Sequence, residues 1–262
     1  MDWVAPRLTG GLGNRLFQFA CAKQYAEKRN KQLVFFLPRC GETSHGKFEN
    51  IFDLFPEVPV VETAGEWNVL EEKVGSHFIH NVLEESATPL VISGYRQSWK
   101  YSIGITIEPK FQPRPDLDIK YLKDKTNLFC VHIRLGDFRV LKHHQINISK
   151  YYANAIQKIP DNVEVLLFSD EPELVKNILT IPHKIVDEKN ELECLYIMSN
   201  CLKGAIVGNS TFSYWGAYLA HEKSKDHIAF YPNTMGRGLP PLQDYIPPWD
   251  FDKSLDFHSS CF

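Results

Sequence analysis

Between residues 128 and 230 the chain repeats one alternation: a short apolar run, a polar or small-residue stop, then a stretch with helical spacing. The runs are 128–133 (LFCVHI), 163–168 (VEVLLF), 205–207 and 227–230, with a shorter one near Ile185. Runs rich in Val, Leu, Phe and Cys that lack strict in-and-out alternation belong to strands covered on both faces. The intervening helices are expected at about 149–158, with Ser149 as cap, and at 172–179, 192–201 and 214–220. Strand, loop and helix repeated about four times predict a parallel sheet with right-handed crossovers. Such a sheet gathers the groups that end its strands at one edge, and that edge is where its ligands bind.

The first half is less regular. A strand from Val4 to Leu8, interrupted by Pro6, leads into Thr9-Gly10-Gly11-Leu12-Gly13. A helix from about Asn14 to Arg29 keeps Leu16, Phe17, Ala20, Cys21, Gln24 and Tyr25 at helical spacing, with Asn14 available as cap. Leu33–Leu37 (LVFFL) reads as the next strand, which makes a βαβ start. Residues 38–90 are weakly patterned, and Leu90–Ser93 reads as a strand. The stretch Glu108–Asp118 carries three prolines among its charges and is the best linker. A chain of 262 residues accommodates two modest domains, so the expected organisation is a Rossmann-like domain over 1–110 and a second over 111–262. The tail after about residue 232, rich in proline and aromatics, should be an ordered wrap.

Composition narrows the partners. Net charge is −3, so there is no general attraction to nucleic acid or to an anionic membrane. The six cysteines form no CxxC pair and no zinc spacing, which suits a reducing compartment. The opening MDWVAPRLTGG has no apolar core of a signal peptide, and no run approaches the ~20 apolar residues of a membrane span. A cytoplasmic protein is expected. Two N-x-S/T matches, at Asn147 and Asn209, are expected to stay bare.

Three strand ends carry the chemistry. The first, His132-Ile133-Arg134-Leu135-Gly136-Asp137, presents an imidazole, a guanidinium, a glycine and a carboxylate. Arg134 is a fixed fork that matches phosphate oxygens. Asp137 is a candidate base for an acceptor hydroxyl, or the group that orients Arg134. The second, Ser169-Asp170, offers a carboxylate to ribose hydroxyls or a purine N–H edge, or simply starts a helix. The third, Gly208-Asn209-Ser210-Thr211-Phe212-Ser213, puts hydroxyls and N–H groups at a helix start, suited to a diphosphate or to capping alone. Phe212 could stack on a base. In the first half, Gly10–Asn14 places three glycines between strand and helix, free to wrap an anion or to serve as a tight turn. It lacks both the third glycine of the dinucleotide fingerprint and the Lys-Ser/Thr of a phosphate-binding P-loop. Asp116-Leu117-Asp118 matches a metal-binding D-x-D but sits in the linker, so it reads as solvated. His143-His144 reads as a loop pair.

In order along the chain, Gly10–Gln18 (GGLGNRLFQ), Gly94–Tyr101 (GYRQSWKY), His132–Asp137, Tyr151–Ile156 (YYANAI), Phe168-Ser169-Asp170 and Met198–Leu219 are similar to segments of the α1,2-fucosyltransferase family, glycosyltransferase family 11. Leu135 stands where that family has a second arginine, Glu171 where it has a second aspartate, and Tyr214-Trp215 where it has paired tryptophans. The resemblance implies an α/β, GT-B-like architecture of two Rossmann-like domains with parallel sheets. It implies an inverting enzyme that needs neither metal nor cofactor, with GDP-fucose as donor and a galactose-type glycan, attacked at O2, as acceptor. It also implies that His132 and Asp170 contact the guanosine and that Phe212 packs on the base. Arg134, Ser210, Thr211 and Ser213 would hold the diphosphate, with Gly13 and Asn14 reaching in from the first domain. Transfer from another nucleotide sugar, or a non-catalytic nucleotide- or glycan-binding module, stays open beside it.

Overall fold

The structure, a computed structural model, describes residues 2–40, 47–63, 65–72, 86–144, 146–175 and 178–236. The chain divides into two compact units, 1–112 and 113–262. Among the described residues no helix is long and apolar enough to cross a membrane.

Unit 1 contains β1 (Trp3–Pro6), α1 (Leu12–Lys28), β2 (Gln32–Leu33), β3 (Phe35–Phe36), α2 (Asn50–Leu54), β4 (Val60–Val61), β5 (Asn68–Leu70) and β6 (Leu90–Ile92). Its main sheet runs β2-β1-β6-β5, all parallel, and β3 and β4 form a separate parallel pair. Strand β1 is covered on both faces. Val4 packs with Cys21, Tyr25, Leu90 and Ile92, while Trp3 and Ala5 pack with Val34, Phe36 and Val91. The single strand expected over LVFFL is two strands. Val34 still donates to the Val4 carbonyl (2.9 Å), but Phe35 donates to Pro59 (2.8 Å), so the chain changes sheets in mid-run. An unbroken apolar run does not say which neighbour pairs with it. Helix α1 starts two residues before Asn14. Gly11 is the cap, in an extended conformation with no side-chain bond, so Asn14 lies inside the first turn and does not cap.

Unit 2 contains α3 (Pro115–Tyr121), β7 (Leu128–Ile133), α4 (Ile148–Ile156), β8 (Glu164–Ser169), α5 (Pro172–Val175), β9 (Lys184–Ile185), α6 (Glu191–Met198), β10 (Gly204–Ile206), α7 (Thr211–Lys223) and β11 (Ile228–Phe230). The sheet order is β11-β10-β7-β8-β9, all parallel. One face buries Phe129, Val131, Ile133, Val165 and Leu167 against Tyr151, Tyr152 and Ala155 of α4. The chain steps outward from β7 through β8 to β9, then returns to the other side of β7 for β10 and β11. That reversal puts a topological switch point between β7 and β10, where the strand ends leave a crevice for ligands.

Local readings needed correction. Part of the presumed linker is helix α3, entered through Pro115, whose missing N–H is harmless in a first turn. Helix α4 is capped by Asn147, whose side chain accepts from the Lys150 N–H at 3.1 Å, so Ser149 is not the cap. The expected tail wrap lies outside the described residues beyond Gly236, as does Cys261.

Candidate active site

The β7/β10 edge of unit 2 is built from the turns that leave three strands. Arg134, just past β7, is held by two carboxylates. Its Nη2 donates to Asp137 Oδ1 at 2.8 Å, and its Nη1 lies 3.1 Å from Asp170 Oδ2. Asp170 also accepts from the Leu135 backbone N–H through Oδ1, at 2.9 Å. The three side chains keep 28% (Arg134), 33% (Asp137) and 22% (Asp170) of their surface, so the cluster is paired yet open to a solute. The Arg134 guanidinium carbon stands 5.7 Å from the centre of the Phe138 ring, which stacks on His144 at 4.3 Å. His144 thus backs the turn after β7. Among the described residues no group of three His, Cys, Asp or Glu is gathered as for a metal.

His132, at the end of β7, is buried. Burial, and then the Arg134 charge, hold its imidazole down to about 3, so it is neutral at physiological pH. Nδ1 has no hydrogen-bond partner. Gly208 is the reason the ring fits: a Cβ there would lie 3.0 Å from both Nδ1 and the carbonyl of His132, and 3.2 Å from the Tyr152 hydroxyl. Phe212 lies across from the imidazole, with ring centres 6.3 Å apart. Ser210 caps α7 by accepting from the Phe212 N–H at 3.3 Å, and Ser213 donates to the Ser210 carbonyl at 3.2 Å. Thr211 opens the helix. The positive end of a 13-residue helix therefore sits at the β10 strand end.

His132, Arg134, Asp137, Asp170, Ser210, Thr211, Phe212 and Ser213 all lie at or just past the ends of β7, β8 or β10 in unit 2. Gly13 and Asn14 belong to unit 1, in the first turn of α1. There the Asn14 side chain accepts from Gln97 Nε2 at 2.7 Å, which joins the glycine turn after β1 to the segment after β6. Leu135 points inward: it is buried in the core cluster with Tyr151, Tyr152 and Val175. Asp116 and Asp118 are engaged elsewhere, Asp116 with Arg114 at 2.7 Å and Asp118 with the Tyr196 hydroxyl at 2.8 Å.

Three residues contribute contacts that the sequence did not show. The Tyr152 hydroxyl donates to the His132 carbonyl at 2.6 Å. The Tyr151 hydroxyl lies 2.7 Å from the Val207 carbonyl and 2.9 Å from that of Phe230, which ties α4 to the ends of β10 and β11. Asn209 is buried and gives its amide to the His144 carbonyl at 2.7 Å, fixing the turn after β10 to the turn after β7. Adjacent tyrosines on one helix were the available signal. Asn209 was legible as part of the turn at the third strand end, but its bond to the turn after β7 was not.

Residues 106–235 match the profile of glycosyl transferase family 11. The chain is 30% identical over 258 residues to the α-1,2-colitosyltransferase of Escherichia coli, covering 84% of this chain and 88% of that protein. It is 26% identical over 268 residues to the O-antigen biosynthesis glycosyltransferase WbnK of Escherichia coli, covering 81% and 88%. Among solved structures it is similar to NodZ α-1,6-fucosyltransferase co-crystallised with GDP, at 17% identity and a TM-score of 0.54, covering 83% of this chain and 92% of that one. A structure of the Bradyrhizobium fucosyltransferase NodZ gives 18% identity and a TM-score of 0.53, with the same coverage. These likenesses show the fold, an α/β architecture of GT-B type with parallel sheets.

Proposed function

This chain belongs to glycosyl transferase family 11, and on that premise we propose that it moves L-fucose from GDP-fucose to a hydroxyl, probed first as O2, of a galactose-type glycan. The observation that carries the reading is Arg134 at the β7/β10 switch point, half-open, on the edge that also carries the N-terminus of α7. As the glycosidic bond breaks, negative charge accumulates on the leaving diphosphate. A guanidinium fork and a helix N-terminus stabilise that charge in the transition state more than in the ground state. Arg134 can exchange a carboxylate for a phosphate oxygen. Ser210, Thr211 and Ser213 surround the same helix start. His132, neutral, lies beside Phe212, and the two offer the nucleoside an imidazole and an apolar face for the base. Gly13 and Asn14 are assigned to the acceptor-side domain.

Attack by the acceptor hydroxyl opposite the departing diphosphate inverts the anomeric carbon in one step. Asp137 already has one oxygen on Arg134, so the proposal gives it the role of partner to that arginine before that of base. The arginine fork supplies the charge that a divalent cation supplies in other transferases, and the proposal includes no metal or cofactor. It places the reaction in the cytoplasm.

A second reading is favoured by the similarity to an α-1,2-colitosyltransferase. Colitose is fucose without its 3-hydroxyl, so the donor pocket of this chain would accept the deoxy sugar. One experiment separates the readings: thermal shift with GDP, UDP and their sugars, then turnover with GDP-fucose and GDP-colitose on a β-galactoside and NMR of the product linkage. Stabilisation by GDP and an α1,2 product support the proposal. Stabilisation by UDP-sugars overturns the donor, and GDP binding without turnover of either sugar reduces the protein to a binding module. EDTA should leave the rate unchanged.

A further inference from the structure

We infer that Asp170 is a positioning residue for the transfer step: it aims the Arg134 fork and does not itself touch the donor. This rests on the reading of the β7/β10 edge as the nucleotide-sugar site. Both oxygens of Asp170 are engaged by consecutive residues, Oδ2 by Arg134 at 3.1 Å and Oδ1 by the Leu135 N–H at 2.9 Å. Asp137 holds the other terminal nitrogen of the guanidinium. A planar fork gripped at both nitrogens has one orientation.

The two grips differ in origin. Asp137 lies three residues along in the same turn and moves with it. Asp170 comes from the neighbouring strand, one residue past Ser169, which pairs with Ile133 in the parallel register. It therefore fixes the arginine to the sheet. Gly136 leaves the room for this: a Cβ there would lie 2.4 Å from Asp170 Oδ2.

Charge alone does not account for the arrangement. Two carboxylates beside one guanidinium leave the cluster net negative, which opposes a diphosphate. If Asp170 contributed only charge, its removal would tighten diphosphate binding. If it aims the fork, its removal loosens binding even though a like charge has gone. The sign of the change decides between them.

The test is Asp170→Asn, which keeps an oxygen for the Leu135 N–H and removes the charge from Arg134. Calorimetric affinities for GDP, GMP and IDP are measured together with kcat and donor KM. The expected result is an about tenfold fall in the GDP-over-GMP advantage and at least a tenfold fall in kcat, with the GDP-over-IDP preference unchanged. A GDP-over-GMP advantage that holds or rises overturns the inference. So does loss of the GDP-over-IDP preference, which would assign Asp170 to the guanine. If Asp170→Asn does not fold, Gly136→Ala displaces the carboxylate while keeping it, and an unchanged GDP-over-GMP advantage in that variant overturns the inference equally. A wild type that prefers uridine nucleotides refutes the proposed donor alone, because the UDP-over-UMP ratio then decides the role of Asp170 in the same way.

Discussion

The two sheets reverse chain order at the same place, beside their first strand, yet Arg96 and Arg15 in unit 1 and Arg134 in unit 2 are used in opposite ways. After β6, Arg96 is buried with φ 52°, and it donates through Nε to the Ser93 carbonyl at 2.8 Å and through Nη2 to Leu70 at 3.0 Å. Arg15 in α1 is likewise buried, with Nη1 on the Lys47 carbonyl at 2.5 Å. That edge also carries the amide pair Asn14 and Gln97, and Arg7, just past β1, which is exposed with Nη1 3.5 Å from the Ser93 hydroxyl. After β7, Arg134 is half-open and paired with carboxylates. A cation bound to backbone carbonyls in the interior has no freedom to accept a phosphate. One paired with carboxylates at the surface can trade partners. Topology marks two candidate edges, and the carboxylate partners of Arg134 set it apart from Arg96 and Arg15, which serve backbone carbonyls.

The strongest test of this contrast is a pair of substitutions. Arg134→Ala should lower transfer by at least ~100-fold, and Arg134→Lys should not restore it, since an ammonium lacks the bidentate fork. Arg96→Ala should instead lower folding stability by about 2–4 kcal/mol, because it strands the Ser93 and Leu70 carbonyls that the buried guanidinium serves and removes the cation facing the half-buried Glu72 carboxyl. Burial already pushes that carboxyl up, with Arg96 opposing. Urea melts and single-turnover rates read the two effects separately. A stable but inactive Arg96→Ala would break the contrast.

Leu135 sharpens the same comparison. Its side chain is part of the core cluster under α4, although its place in the motif suggests a second phosphate ligand. Leu135→Arg should therefore add no transferase rate and should destabilise the protein by about 2–4 kcal/mol through lost packing and a buried charge. A gain in donor affinity with intact stability would show that the position faces the ligand after all.

Much of this edge was legible in the sequence, because an apolar run that stops at His132, Arg134 and Asp137 marks a buried strand and its carboxyl end. The partners were not. Asp170 is distant in sequence from Arg134 and meets it only through the register that sets Ile133 beside Ser169. The inward turn of Leu135 comes from its backbone conformation, with φ −119° and ψ −68°, and not from residue type. In unit 1 the glycine turn was legible as a turn. The Asn14–Gln97 bond was not, since it depends on β1 and β6 becoming neighbours across 83 residues of chain. Capping residues were misread at α1 and α4 for a related reason: several good capping types stood within three positions, and backbone geometry chose among them.

His132 gives a smaller effect, set by pH. Its folded value of about 3 lies below the ~6.5 of an unfolded chain. As pH falls through 6.5 the unfolded chain binds a proton that the folded protein refuses until near 3. Stability is therefore lost on acidification across that window, by about 2 kcal/mol between pH 7 and pH 5. His132→Gln should flatten the pH dependence by that amount in denaturant melts at the two pH values. An equal slope in wild type and variant would show that the ring is hydrated, contrary to its burial.

Gln97→Leu should have the smallest effect, and it bears on the other edge. The Gln97 amide reaches Asn14 Oδ1 at 2.7 Å, and Gln97 is buried. Loss of one neutral hydrogen bond changes stability by about 0.5–1.5 kcal/mol. If the unit 1 edge is the acceptor side, GDP affinity should stay within about twofold while the acceptor KM rises several-fold, because Asn14 loses the donor that orients it. A change in GDP affinity with an unchanged acceptor KM would move Asn14 from the acceptor to the donor.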